Sequence, residues 1–281
     1  MDSLLNHPAV QSGIVPFIVA LAVTAILGKT KPALMGLAAA AAFVATVALV
    51  TGFSLVPLSS TKKIILVAYF AAILGMVIDL ADEKLTHYRR YLHGLFAFLG
   101  VAAVLWIIWP VISRQSTQNS LIMAIGLSAY VAWMVFAASV LQQKKAQISA
   151  VVFATAMGTA VVSIVGATAL YGQLASPFAA AAGAWLLYYL LAPQKAVFST
   201  SFFLMASVTC ASLGAAATIY ANLPWLTLGL LALIPAVVHI PIKQDSTIWL
   251  QVLKSYVAAL IPMIAAIWYT VQQSSSSAYY G

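Results

Sequence analysis

The stretch LMGLAAAAAFVATVALV, residues 34–50, carries no charge and one hydroxyl, Thr46, and its reading decides the fold. A membrane β-strand would alternate apolar and polar side chains over ~10 residues. Here the apolarity is continuous and rests on Ala and Leu, which favour a helix. Similar runs fill the rest of the 281-residue chain, which is 64% hydrophobic and 6% charged with a mean hydropathy of +1.04. Soluble domains carry about a quarter charged residues, and ~20 apolar residues suffice for a helix to cross ~30 Å of hydrocarbon. The sequence therefore predicts an all-α polytopic integral membrane protein whose first partner is the lipid bilayer.

The runs predict ten spans, at 9–28, 32–53, 64–80, 92–112, 121–141, 150–170, 174–191, 199–220, 223–242 and 250–271. The connections, among them KTK at 29–31, SRQSTQNS at 113–120 and QQKKAQIS at 142–149, are too short for a soluble domain, so residues 1–281 read as one transmembrane domain. The opening MDSLLNHPAVQSG lacks the charged n-region of a cleavable signal, and span one is expected to remain as an anchor. Residues 272–281 read as a short polar tail.

Lys and Arg are retained on the cytoplasmic side. An outside N-terminus places Lys29, Lys31, Lys84, Arg89, Arg90, Lys144, Lys145, Lys195, Lys243 and Lys254 inside, against Lys62, Lys63 and Arg114 outside. Both termini are then expected outside, in a plasma membrane of bacterial or archaeal type. The formal charge of +8 thus reads as a topology signal, and no nucleic-acid partner is expected. A five-plus-five inverted repeat is an open possibility. Ala129-Tyr130-Val131-Ala132 in span five echoes Ser255-Tyr256-Val257-Ala258 in span ten, but Ala-Leu-Ile-Pro also recurs in adjacent spans, at 232–235 and 259–262.

Chemistry concentrates in IDLADEKLTHYRRYLHG, residues 78–94, which holds three of the five acids, Asp79, Asp82 and Glu83, and two of four histidines, His87 and His93. An ionisable group is costly at the bilayer centre and much less so near an interface. Asp79, His93, His239 and Lys254 all fall near the cytoplasmic boundary and make up a candidate shallow polar site, in which Asp79 would pair with Lys254 or His239. The bland alternative is an interfacial Asp79 hydrated by its own loop, with Lys254 snorkelling to headgroups. The histidines show no H-E-x-x-H spacing, and the lone Cys210 sits in an apolar run. No metal or other cofactor is expected.

Hydroxyls recur every four residues in span six, at Thr155, Thr159 and Ser163, and accompany Ser207, Cys210, Gly214 and Thr218 in span eight. Such stripes either line a narrow path for a neutral solute or let helices pack closely. The substrate-path candidates are Thr155, Thr159, Ser163, Ser207 and Thr218. Pro235 and Pro262 would kink spans nine and ten. The sequence has no P-loop, no G-x-S-x-G and no second carboxylate cluster to match Asp79-Leu-Ala-Asp82-Glu83. Three readings follow. The chain is a permease or channel-like protein for a small neutral or weakly polar solute, a non-catalytic scaffold, assembly factor or accessory subunit for other membrane proteins, or a lipid-active enzyme using the 79–93 stretch.

Overall fold

The computed structural model describes residues 7–54, 56–85, 88–239 and 247–279, with the side chains of 82–85, 89 and 276–279 outside that description. His87 and Lys243 lie outside the described residues, as do the side chains of Asp82 and Glu83. Among the described residues the chain is all-helical, without a strand. A π-helical turn, Val10–Ile14, leads into α1 (Val15–Thr30), and a 3-10 turn, Pro32–Leu34, precedes α2 (Leu37–Val50). There follow α3 (Ser60–Leu85), α4 (Arg89–Ile112), α5 (Thr117–Leu141), α6 (Lys145–Gly166), α7 (Ala169–Leu191), α8 (Thr200–Ala221), α9 (Trp225–Val238) and α10 (Ile248–Tyr279).

Nine helices of the described chain are long and apolar enough to cross a membrane, the architecture of a helical polytopic membrane protein. The leading turns extend α1 and α2 to 21 and 19 residues, so the exception is α9, whose 14 residues span about 21 Å at ~1.5 Å per residue. It is shorter than the 223–242 read from the sequence. Pro235 removes one backbone donor within its last turn, and His239 already has turn geometry. Two other boundaries differ in the opposite sense. The residues before 86 continue α3 and those from Arg89 open α4, so most of the polar stretch at 78–94 is helix where a loop was expected. Likewise α10 runs on through the polar stretch to Tyr279. There the Ser275 hydroxyl donates to the Val271 carbonyl (2.8 Å) and the Gln273 amide to the Tyr269 hydroxyl (3.2 Å), local bonds that suit a helix.

Two helices sit inside the bundle. Every residue of α8 from Thr200 to Thr218 is buried, and most of α6 is as well. Around α8 lie α2 to α7, with α3 its main partner, while α6 packs chiefly on α7 and α10. Glycines mark the closest crossings, because a missing Cβ lets backbones approach. A Cβ on Gly158 of α6 would lie 2.8 Å from Leu231 of α9 and 3.1 Å from Met263 of α10. One on Gly172 of α7 would lie 2.7 Å from the Ala160 carbonyl of α6. Asn222 ends α8 in the left-handed region (φ 56°), a conformation Asn tolerates, and Pro224 then opens α9.

Candidate functional site

The N-terminus of α8 is a crowded place. Gly75 of α3 touches it so closely that a Cβ there would overlap the backbone of Ser201, and a Cβ on Gly36 would overlap the hydroxyls of Ser199 and Ser201. One helical turn beyond Gly75, on the same face of α3, stands Asp79. Its Oδ1 accepts the Thr200 N–H at 2.6 Å, and its Oδ2 accepts the Ser201 N–H at 2.9 Å and the Ser201 hydroxyl at 2.6 Å. The first N–H groups of a helix have no partner within the helix, and an anion is favoured there by the helix dipole. Ser199 occupies the cap position but makes no capping bond; its hydroxyl lies 3.4 Å from that of Ser201. Asp79 caps α8 from another helix.

This corrects the expected partnership. Asp79 does not gather with His239 and Lys254, because both its oxygens face the start of α8. His93 bridges α4 to α5, its Nδ1 lying 2.9 Å from the Ser139 hydroxyl, which itself donates to the Phe136 carbonyl at 2.7 Å. His239 follows α9 and lies near Lys144 and the Ala137 backbone; burial, and then the Lys144 ammonium, hold its imidazole below the usual pKa. Lys254 is exposed on α10. Asp79, His93 and His239 thus each meet a different part of the end of α5 and the connection after it, and only Lys254 stands away on α10. Among the described residues no three His, Cys, Asp or Glu side chains converge on a point where a metal would sit. The carboxylate that a lipid-active enzyme would place on a cation is already held by three donors.

Beside the cap lies a polar cavity of about 160 Å³, lined by Asp79, Gln142, Gln143, Lys145, Ser199 and Thr200 together with Ala33, Val197 and Phe198. Gln142 donates to the Thr200 hydroxyl at 2.9 Å, and Lys145 to the Pro193 carbonyl at 3.3 Å. The segment between α7 and α8 forms one wall and is fixed by aromatic contacts. Phe198 meets Trp185 edge-on at 4.8 Å, and the Trp185 indole donates to the Val197 carbonyl at 3.0 Å. With donors, acceptors and both signs of charge on its walls, the cavity suits water or a small polar solute.

A seam between α5, α6 and α8 lies one helical turn along the chain from this cavity. One turn along α5 from Gln142 is Ala138, which with Met134, Val152, Thr155, Ser207 and Cys210 encloses a void of about 10 Å³. That is space for no more than about one water, so the seam is closed. The hydroxyl stripe divides here. Ser207 and Thr218 donate to carbonyls of their own helix, those of Leu204 (3.4 Å) and Gly214 (3.2 Å). Thr155, Thr159 and Ser163 are buried, and their hydroxyls have no partner. Thr209 and Ser212 of α8 and Tyr130 of α5 are also buried without a hydroxyl partner, and the sequence reading missed them because nothing in their spacing set them apart. The cavity residues Ser199 and Thr200 and the cap residue Ser201 were also missed, although Ser-Thr-Ser ahead of an apolar run is a helix-start signal. Comparison of the chain with protein-family models, curated proteins and solved structures finds no match.

Proposed function

We propose that the chain is a permease or channel-like protein for a small neutral or weakly polar solute. The observation that carries this reading is the set of buried hydroxyls without partners on one face of α6, Thr155, Thr159 and Ser163, of which Thr155 borders the small void between α5, α6 and α8. A Ser or Thr in an apolar helix commonly bonds back to a carbonyl one turn earlier. Thr46, Ser255 and Thr270 do so in this chain, at 3.1, 2.7 and 2.8 Å. A buried hydroxyl that makes no bond costs about 1–3 kcal/mol, and three in register are accounted for if a passing solute supplies the bonds. Passage requires the seam to open. The Pro-containing helices α9 and α10, which meet α6 at Gly158, are the elements assigned to that movement.

The finer topology belongs to this proposal: ten spans, with the short α9 added to the nine long ones, both termini outside, a bacterial or archaeal plasma membrane, and the five-plus-five repeat as its open element. Uptake by proteoliposomes of a panel of small polyols, amides and sugars tests the reading. At least one solute is expected to enter saturably, and Thr159→Val to cut that uptake about tenfold without lowering thermal stability, since no hydrogen bond is lost. Uptake no faster than in protein-free vesicles across the panel overturns the reading.

A further inference from the structure

The helices α3 and α4 are consecutive, yet they touch each other little and both rest on α8. Between them runs a groove of about 590 Å³, walled by Phe70 and Leu74 of α3 and by Leu99 and Ala103 of α4, and floored by Leu204 and Val208 of α8. Its volume is in the ~300–1,000 Å³ range of small-molecule sites. The lining is apolar and about two turns long on each wall, or about 10 Å. One end of the groove is Trp106, and just beyond the lining there stands a cation. The Lys63 ammonium lies 5.0 Å from the centre of the Trp106 ring and donates to the Trp106 carbonyl at 3.1 Å. Lys62, next in the chain, donates to the Val56 carbonyl at 3.0 Å.

We propose that this groove binds an anionic phospholipid, with part of one acyl chain on Leu204 and Val208 and the phosphate at Lys63. The charge of Lys63 selects the occupant. A hydrocarbon chain fits the apolar length of the groove, and a phosphate one turn beyond it meets a cation already held in place. A transmembrane helix from a partner or a second copy would run past the groove's end and set apolar side chains against that ammonium. The site lies at the opposite end of α3 from Asp79 and stands apart from the permease reading.

The test uses the full chain in nanodiscs containing phospholipids brominated in mid-chain, which quench nearby tryptophan. The Trp106 signal is the part lost in Trp106→Phe. Brominated phosphatidylglycerol is expected to quench it at about fivefold lower mole fraction than brominated phosphatidylcholine, the preference of one lysine near a phosphate. Trp109, exposed on the same helix outside the groove, serves as the internal reference and is expected to show no such preference. Lys63→Gln is expected to abolish the preference at Trp106, and Ala103→Leu, which fills the groove, to reduce quenching by both lipids. The lipid retained by purified Lys63→Gln, weighed by native mass spectrometry, gives a second readout independent of tryptophan. Equal quenching by both lipids, a preference that survives Lys63→Gln, or a disulfide between two Ala103→Cys copies overturns the proposal.

Discussion

Asp79 shows how one side chain can link two distant parts of the chain. Three donors within 2.9 Å hold its carboxylate at the start of α8. Loss of a charge-assisted hydrogen bond or of a helix cap costs about 1–3 kcal/mol. Asp79→Asn, which removes the charge and turns one oxygen into a donor facing N–H groups, is expected to lower unfolding stability in detergent by about 1–3 kcal/mol. Ser199→Ala is expected to change it by less than about 0.5 kcal/mol, because Ser199 makes no capping bond. Equal losses in the two variants would show that the cap belongs to Ser199. An acid just inside a membrane boundary was legible at position 79. Its partner was not, because that partner is the backbone 121 residues further on, and no residue type announces which helix start will be adjacent.

At the scale of elements, close approach decides which helices pair. Gly75 sits where α3 meets the first turn of α8, and its Cβ would overlap Ser201, whereas a Cβ on Gly94 of α4 meets nothing within 4 Å. Gly75→Ala is expected to push α3 off α8, lowering the melting temperature and loosening the Asp79 cap. Gly94→Ala, a helix interior gaining ~1 kcal/mol of intrinsic propensity, is expected to be neutral or stabilising. The contrast is read by thermal unfolding of the two variants side by side. Spans were legible because continuous apolarity of sufficient length permits little else than a helix. Their ends were less so. In α10, Ser and Gln side chains bond locally and the helix continues past the last apolar residue, whereas in α9 Pro235 precedes an early stop. The sequence showed one hydroxyl stripe on α6 and another on α8, but not that the first lacks bonding partners while Ser207 and Thr218 of the second bond to their own backbone.

At the scale of the whole molecule, the expected orientation yields a labelling pattern. Cys210 is buried, and Cys210→Ala supplies a background free of thiols. On that background a cysteine at the exposed Arg114 is expected to react with an impermeant maleimide in intact cells, and one at the exposed Lys144 only after the membrane is opened. The reverse pattern inverts the topology. The sequence by itself determined the solvent, the helices and their approximate number, because the cost of unpaired backbone groups in hydrocarbon leaves helices as the structure for such runs. It also carried the asymmetry of basic residues between alternate connections. Tertiary structure alone decided that α8 and α6 lie inside, that Asp79 meets α8 in place of His239 or Lys254, and that α3 and α4 part to form a groove ending at Lys63. Helix neighbours depend on which faces pack, and in a chain this apolar nearly every face is suited to lipid and protein alike.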